Sequence, residues 1–218
     1  MRARIQGEME MKLYYAPGAC SLAPHIVARE AGIPIELEQV DIRTSPHRTE
    51  SGSDFAEINS KGYVPVLRLD NGEVLTEGVA ILQYLADLRA ETGLAPAAGT
   101  FERYRLQEWL TFISSELHKM FSPWLFHPEH GERAATVARA KIAERFTFLD
   151  HHLDDSDYLL GERFTVADAY CFAIVDWTRL TRIDLAAWPN VATYTARIRE
   201  RPKVREAMQA EGLVKAAA

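Results

Sequence analysis

The hydrophobic pattern changes its period partway along the chain, and this change restricts the possible folds more than any other feature. Short alternating apolar stretches, typical of β-strands, are interleaved with helical segments in the first part of the sequence. Further on, apolar residues recur every three or four positions, as on one face of an α-helix. The sequence therefore predicts an α/β domain at residues 11–90, a linker at 91–100 and an all-α domain at 101–218.

The first domain is predicted to contain a mixed sheet. Its predicted strands are residues 12–15, 35–42, 66–69 and 73–75. A helix at 21–31 follows the first strand, a helical turn at 54–59 follows the second, and a helix from Thr76 onward follows the last. The first three form a β-α-β unit, so we expect their strands to be parallel. Asn71-Gly72 joins the last two strands and favours a type I′ turn. Residues 1–10 carry no period and are expected to form a flexible extension.

Helical stripes define the second domain. Their apolar residues are Leu106, Trp109, Leu110, Ile113 and Leu117, then Ile142, Phe146, Leu149 and Leu153, and then Ala169, Phe172, Ala173 and Leu180. Ahead of the third stripe, Thr165 followed by Asp168 matches a capping box, which marks the start of a helix. The expected architecture is therefore an α/β unit of order βαβαββα followed by an all-α domain.

Composition excludes several classes of protein. The chain has 25 Lys and Arg against 31 Asp and Glu, a formal charge of −6, and this acidic balance argues against nucleic acid as a partner. No stretch reaches the roughly 20 apolar residues of a membrane span. The N-terminus lacks the apolar region of a secretory signal. We therefore expect a soluble, cytoplasmic protein with no nucleic-acid or membrane partner.

The two cysteines occupy different places in this pattern. Cys20 stands between the first strand and the first helix, where the dipole of the helix would stabilise a thiolate. It is either a reactive or thiol-binding residue, or a small apolar residue under the helix. Cys171 lies between Tyr170 and Phe172 in a helical segment and is interpreted as core.

Two further segments carry groups that could bind a ligand. A cis Val64–Pro65 bond would leave the backbone N–H and C=O of Val64 open to an extended ligand, whereas a trans proline at a strand start is the alternative. Thr76, Glu77 and Gly78 begin the third helix. This run either caps the helix, or it binds a ligand whose carboxylate meets the helix N–H groups and whose ammonium meets Glu77.

Polar residues also follow one face of the first helix of the second domain. Thr111, Ser115 and His118 form either a solvated face or one wall of a wet cleft, where His118 could donate to a thiolate or transfer a proton. Four other histidines lack the carboxylate or thiol spacing of a metal site: His127, His130, His151 and His152. We therefore expect no metal.

Five separated segments resemble the bacterial beta-class glutathione transferases. They are MKLYYAPGACSLAPHIVAREAG, NSKGYVPVL, LTEGVAILQYLAD, LQEWLTFISSELHKMF and GERFTVADAY, and they occur in the order of the family. The resemblance begins at Met11 and runs almost to the C-terminus. It implies a thioredoxin-like first domain that binds glutathione, an all-α domain that shapes the site for a small hydrophobic electrophile, and a homodimer.

The resemblance also implies roles for single residues. Cys20 looks like the cysteine that lies against the glutathione sulfur and can form a mixed disulfide with it, and His118 looks like the histidine that faces this thiol. Val64 resembles the residue whose backbone pairs with glutathione, and Pro65 resembles the cis-proline of the family. The remaining implied residues are Glu77, Gly78, Thr111 and Ser115 for glutathione, and Thr165 and Asp168 for a structural cap.

The chain departs from the family in two places. Ser45 stands where relatives carry a lysine near the glycine carboxylate of glutathione, and Arg43 or Arg48 could replace it. Thr111 stands where relatives carry an asparagine that reaches the ligand of the partner subunit. Four aromatic residues could each line the electrophile pocket or fill a core: Trp109, Phe112, Phe121 and Trp177.

The expected function is that of a glutathione transferase, which binds glutathione and activates its thiol for conjugation to electrophiles. Thiol–disulfide exchange through Cys20 is a second activity to consider. The alternatives are a glutathione-dependent disulfide oxidoreductase and a non-catalytic regulatory or ligand-binding protein of the same fold, since a fold does not by itself fix a function.

Overall fold

A mixed sheet forms the centre of the first half of the protein. The computed structural model describes residues 11–215, so the predicted extension at 1–10 lies outside the described residues. Five strands make up the sheet: β1 Met11–Tyr15, β2 Ile35–Asp41, β3 Arg48–Thr49, β4 Val66–Arg68 and β5 Val74–Thr76. Their order is β3-β2-β1-β4-β5; β1 and β2 are parallel, and the other pairs are antiparallel. The sequence did not predict β3, because two residues carry no period.

Helices cover both faces of this sheet. They are α1 Leu22–Glu30, α2 Phe55–Ile58 and α3 Gly78–Leu88. α1 is the crossover that parallel strands require, and it packs against α3. Along β4, Val66 faces Phe55 of α2, whereas its neighbour Leu67 joins the large core with α1 and α3. This alternation is the two-residue period of a strand buried on both sides.

The hairpin between β4 and β5 is present, but its turn differs from the predicted type I′. The N–H of Gly72 donates to the carbonyl of Leu69 at 3.0 Å, so that Asp70 and Asn71 are the central residues of the turn. Gly72 has φ +86°, and Asn71 is not among the residues with positive φ. This arrangement is a type I turn followed by a left-handed glycine, the usual three-residue hairpin loop. The Asn-Gly pair is therefore shifted by one position from the predicted register.

The second half of the described chain is helical. One long helix begins as α4 Phe101–Phe112, continues as a π-helical turn at Ile113–His118 and ends as α5 Lys119–Phe121. The other helices are α6 Glu132–His152, α7 Val166–Val175, α8 Thr178–Thr181, α9 Pro189–Arg199 and α10 Pro202–Ala210. No helix within residues 11–215 has the length and apolar character needed to span a membrane.

α7 is the central helix of this half, and every one of its residues is buried. The hydroxyl of Thr165 accepts from the N–H of Ala167, and Asp168 accepts from the N–H of Thr165 at 2.8 Å, so the predicted capping box is present. The third predicted stripe is wrong at one end. Leu180 belongs to the separate α8 and is 70% exposed, because the chain turns after Val175.

The two halves share one hydrophobic core. α1 packs against α7 and α10 as well as against α3. In the connecting segment Leu94 is buried, and its carbonyl accepts from the N–H of Val166 at the start of α7. Arg201, after α9, also forms a two-pronged ion pair with Glu30 of α1. The predicted domain limits at residues 90 and 101 remain a prediction.

Candidate active site

Cys20 lies in the turn that joins β1 to α1. Its Sγ is 3.4 Å from the carbonyl oxygen of Val64, towards which the thiol donates a weak hydrogen bond. Ser21 shapes the turn, because its hydroxyl bonds both the N–H and the C=O of Ala16. The Val64–Pro65 bond is cis. The structure thus brings Cys20 close to the Val64–Pro65 bond, although Val64 lies 44 positions further along the sequence.

The thiol of Cys20 is protonated at neutral pH, contrary to the expectation of a thiolate. Burial raises its pKa to about 12, with a smaller contribution in the same direction from the negative charge of Glu77. Backbone N–H groups and the nearby charge of Lys119 oppose this rise and do not overcome it. A half-buried, neutral S–H is a hydrogen-bond donor, so Cys20 can stabilise another anion instead of being one itself.

His118 approaches from the end of the π-helical turn. Its Nδ1 is 2.7 Å from the hydroxyl oxygen of Tyr170 on α7. The ring meets those of Trp177 and Tyr170 edge-on, with centroids 5.0 and 5.9 Å away. Burial, assisted by the charge of Lys119, lowers the pKa of His118 to about 4. The imidazole is therefore neutral at physiological pH.

Gly18, two residues before Cys20, is held on both sides. Its carbonyl accepts from the indole Nε1–H of Trp177 at 2.8 Å, and its N–H donates to the carboxylate of Glu211 at 2.9 Å. The same carboxylate is 2.9 Å from Nδ1 of His25 on α1, and both of these side chains are fully buried. The helical half and the end of α10 therefore fix the position of the cysteine turn.

Glu77 and Gly78 lie at the start of α3, beside the turn at Pro65. A Cβ on Gly78 would stand 3.7 Å from Cγ of Pro65. Thr76 is the last residue of β5 and does not cap the helix; Glu77 occupies that position, with φ +68° and no capping hydrogen bond from its side chain. The exposed carboxylate of Glu77 pairs with Lys61, which also donates to the hydroxyl of Thr76 at 2.8 Å.

The other implied glutathione residues have local partners. Thr111 and Ser115 are exposed, and their hydroxyls donate to the backbone carbonyls of Gln107 and Thr111 in their own helix. Arg43 pairs with Asp41, and Arg48 donates to the carbonyl of Gly52 at 3.3 Å. Ser45 is exposed and precedes a cis-proline, Pro46. The structure gives no contact that joins any of these residues to Cys20.

The four aromatic residues separate into two groups. Phe121 is core, and Trp177 is buried between His118 and Phe126, whose ring is 5.2 Å away. Trp109 is half-buried and packs against the edge of the core. With Phe112 it lines a surface groove of about 580 Å³ between α4 and α6, whose other lining residues include Phe148, His152, Leu159 and Leu160.

The four histidines that lack metal-site spacing differ in their exposure. His127, His130 and His151 are exposed, whereas His152 is half-buried against Trp109, and its Nε2 donates to the carbonyl of Leu159 at 3.0 Å. Cys171 is fully buried, as predicted. Between residues 11 and 215, no three His, Cys, Asp or Glu side chains are grouped so that they could hold a metal ion.

Sequence reasoning missed four residues that border the site. These are Lys61, Lys119, Tyr170 and Glu211. Of the four, only Lys119 had a signal in the sequence, because it immediately follows the predicted site residue His118. Tyr170 and Glu211 approach from remote elements, and nothing in the periodicity distinguishes them from core and surface residues.

The fold and the site together define a class of protein. A thioredoxin-like domain places a cysteine before its first helix and a cis-proline next to the residue that this cysteine contacts. An all-α domain contributes a histidine. Two family models match this division: "Glutathione S-transferase, N-terminal domain" at residues 18–88 and "Glutathione S-transferase, C-terminal domain" at 112–202.

Individual proteins agree with this result. Glutathione S-transferase GstA of Escherichia coli O157:H7 is 43% identical over 203 residues, which cover 93% of this chain and 100% of that protein. The structure of a beta-class glutathione S-transferase from Sphingomonas chungbukensis is 45% identical with a TM-score of 0.89, and a sphingomonad glutathione S-transferase complexed with glutathione is 44% identical with a TM-score of 0.88. Both comparisons cover 93% of this chain and 100% of the other.

The chain belongs to the glutathione S-transferase family. The resemblance to the bacterial beta class is confirmed, and so is the predicted fold of a thioredoxin-like domain followed by an all-α domain. The protein is an enzyme of this family, with glutathione conjugation as its activity.

Proposed function

We propose that the protein binds glutathione in an extended form along Val64, with the glutathione sulfur between Cys20 and His118, and conjugates it to small hydrophobic electrophiles. The observation that carries this proposal is the 3.4 Å contact between Cys20 Sγ and the Val64 carbonyl, directly before the cis-proline. A ligand that pairs with the backbone of Val64 as a strand would do brings its own thiol to this point.

Activation of the thiol follows from the donors around it. A free thiol has a pKa near 8.5, and a lowering of about two units corresponds to about 2.7 kcal/mol. One hydrogen bond to a charged group contributes about 1.5–3 kcal/mol, so the S–H of Cys20 and an N–H of the neutral His118 supply this amount together. The thiol proton leaves to solvent, because a histidine with a pKa of about 4 does not retain it.

The γ-glutamyl part of glutathione would lie at the start of α3. We propose that backbone N–H groups at Gly78 bind its carboxylate and that Glu77 accepts from its ammonium. In the ligand-free protein the ammonium of Lys61 occupies the carboxylate of Glu77, and the ligand ammonium would replace it. Thr111 and Ser115 would take part from the helical half, with Thr111 directed to the ligand of a partner subunit.

The electrophile would bind above this thiol, against the helical half. Trp177 closes one side beside His118, and the ring of Phe126, which is 37% exposed, packs edge-on against Trp177. An aromatic wall of this kind favours a planar, apolar substrate. It supports conjugation of small hydrophobic electrophiles and fits a role in detoxification.

We propose a homodimer as the assembly. The groove between α4 and α6 exposes aromatic surface, since Phe148 is 52% exposed in contact with Trp109 and Phe112. Light scattering coupled to size exclusion tests this interface. Phe148→Ser should give monomers, whereas Leu180→Ser, at a leucine on α8 that is even more exposed, should leave the dimer intact. Monomeric wild type would rule out the dimer.

We also propose a cytoplasmic location. Cys20 and Cys171 are both free thiols, and chemistry that uses reduced glutathione needs a reducing compartment. Fractionation of cells that express the chain tests this location.

Thiol–disulfide exchange through Cys20 is the secondary activity. The attacking species in exchange is a thiolate, and a pKa of about 12 leaves very little of it in the ligand-free protein. A thiol that stays neutral therefore favours conjugation as the main reaction.

Calorimetric titration with reduced glutathione, on the wild type and on Cys20→Ala, is the decisive experiment. We expect saturable binding to both proteins, weaker in the variant. Conjugation of a chloronitrobenzene should fall less in Cys20→Ala than reduction of a mixed disulfide, since only exchange requires the protein sulfur to form a bond. No binding to the wild type would contradict the proposal, and an equal loss of both activities would contradict the assigned role of Cys20.

A further inference from the structure

The hydroxyl of Tyr170 makes a single hydrogen bond within residues 11–215, and its partner is His118. The hydroxyl oxygen and Nδ1 are 2.7 Å apart, a normal length for a hydrogen bond. We infer that Tyr170 is a positioning residue: its hydroxyl donates to Nδ1 of His118 and thereby holds the imidazole proton on Nε2, where it is available to the glutathione sulfur. The part of this inference that concerns glutathione rests on the function proposed above.

The direction of the hydrogen bond follows from the burial of the tyrosine. Tyr170 is only 4% exposed, so its O–H needs an acceptor inside the protein. If Nδ1 of His118 carried the proton, it would donate to the phenol oxygen, and the O–H of Tyr170 would then have no acceptor among the described residues. An unpaired buried donor costs about 1–3 kcal/mol. The tautomer with its proton on Nε2 avoids this cost.

The charges around the pair keep both groups neutral. Burial raises the pKa of Tyr170, and the nearby negative charges that Cys20 and Glu77 can carry raise it further. On the histidine, burial and the positive charge of Lys119 lower the pKa. These three groups come from the cysteine turn, the start of α3 and α5: Cys20 and Glu77 favour the neutral phenol, and Lys119 favours the neutral imidazole.

The capping box at the start of α7 explains why Tyr170 is in the correct place. Thr165 is the N-cap, and the side chain of Asp168 accepts from the N–H of Thr165 and of Leu159. These bonds fix where the first turn of α7 begins, and Tyr170 projects from the second turn. The ring of Trp177 then holds the other side of His118. A structural cap is thus connected to the catalytic histidine through one turn of helix.

Nitrogen-15 NMR of the histidine side chains in the ligand-free protein tests the tautomer directly. The His118 signals are identified by their loss in His118→Gln. We expect a protonated Nε2 and an unprotonated, hydrogen-bonded Nδ1 in the wild type, and a mixture of tautomers in Tyr170→Phe. A proton on Nδ1 in the wild type would overturn the inference. This measurement uses no glutathione, so its failure is distinguishable from a failure of the proposed function.

Kinetics test whether the tautomer matters for the reaction. Tyr170→Phe should lower kcat/KM for conjugation by about three- to tenfold, the size of one neutral hydrogen bond, with a smaller fraction of bound glutathione as thiolate at neutral pH. The thiolate is measured by its ultraviolet absorbance. Tyr158→Phe is the matched control. It also removes a tyrosine hydroxyl, but this hydroxyl accepts from Arg201 at 3.3 Å and has no contact with His118.

The outcomes separate a positioning role from a merely structural one. A structural role would change stability and leave both the thiolate fraction and the tautomer of His118 as in the wild type. If Tyr170→Phe retains wild-type values for these two quantities, the inference is wrong. If the variant does not fold, the NMR result on the wild type still decides the position of the proton.

Discussion

Replacing Glu211 by alanine would remove a carboxylate that ties the end of α10 to the cysteine turn. The carboxylate accepts from the N–H of Gly18 at 2.9 Å and lies 2.9 Å from Nδ1 of His25, whose Nε2 accepts from Arg29 at 3.3 Å. Since Nε2 accepts, Nδ1 must be the donor to Glu211. Two buried donors therefore depend on this side chain.

The magnitude follows from these two donors. Each buried donor left without an acceptor costs about 1–3 kcal/mol, so Glu211→Ala should lower the free energy of unfolding by about 4 kcal/mol. For a chain of this size each kcal/mol lowers Tm by about 2–4 °C, which gives a decrease of about 8–16 °C. Glu211→Gln retains one acceptor and should lose about half as much.

Scanning calorimetry measures this series, with every variant at the same protein concentration because assembly adds to apparent stability. Glu206→Ala is the control on the same helix. Its side chain is 43% exposed and pairs with Lys203, so its loss should change stability by less than about 1 kcal/mol. The reasoning fails if Glu211→Ala is as stable as Glu206→Ala. The order of stability should be Glu206→Ala, then Glu211→Gln, then Glu211→Ala.

Three further predictions concern the site itself. Because the pKa of Cys20 is raised to about 12, iodoacetamide should alkylate it about a thousandfold more slowly at neutral pH in the folded than in the urea-unfolded protein, as followed by mass spectrometry; equal rates would exclude the neutral thiol. The pKa of His118 lies near 4 when folded and near 6.5 when unfolded, so the unfolded chain binds the extra proton in this window, and stability falls as the pH drops through it; urea titrations should show a smaller fall for His118→Gln. Trp177→Phe retains the ring but removes the bond to the Gly18 carbonyl, and should weaken calorimetric glutathione binding about three- to tenfold; unchanged affinity would mean that this bond does not position the turn.

Local patterns predicted most of the fold because short elements carry local signals. The first β-α-β unit, the hairpin after β4 and the capping box of α7 all follow from periodicity and from single turn or cap residues. Predictions failed where an element has too few residues to show a period, as in β3, or where the chain leaves regular geometry. The π-helical turn at Ile113–His118 was not predicted, since its i→i+5 bonds leave no separate signal, although Ile113 and Leu117 of the predicted stripe are buried in it.

The candidate site was predictable only in its motif residues. Cys20, Val64, Pro65, Glu77 and His118 stand in segments that resemble the family, and the structure brings Cys20 to Val64 and His118 to the same cleft wall as Trp177. The protonation states were not predictable. The helix dipole suggested a thiolate at Cys20, but burial outweighs the dipole, and burial is a property of everything packed around the residue.

The sequence by itself determined the two-part architecture, the order of the elements and the family, because these depend on periodicity and on motifs whose residues are close together. Only the tertiary structure decided that Glu211 and Trp177 hold Gly18, and that Tyr170 contacts His118. These contacts join residues from 52 to 193 positions apart. Local sequence patterns do not predict these contacts. Each contact forms only when α7 and α10 pack against α1, and this packing buries the donors that then need acceptors within the protein.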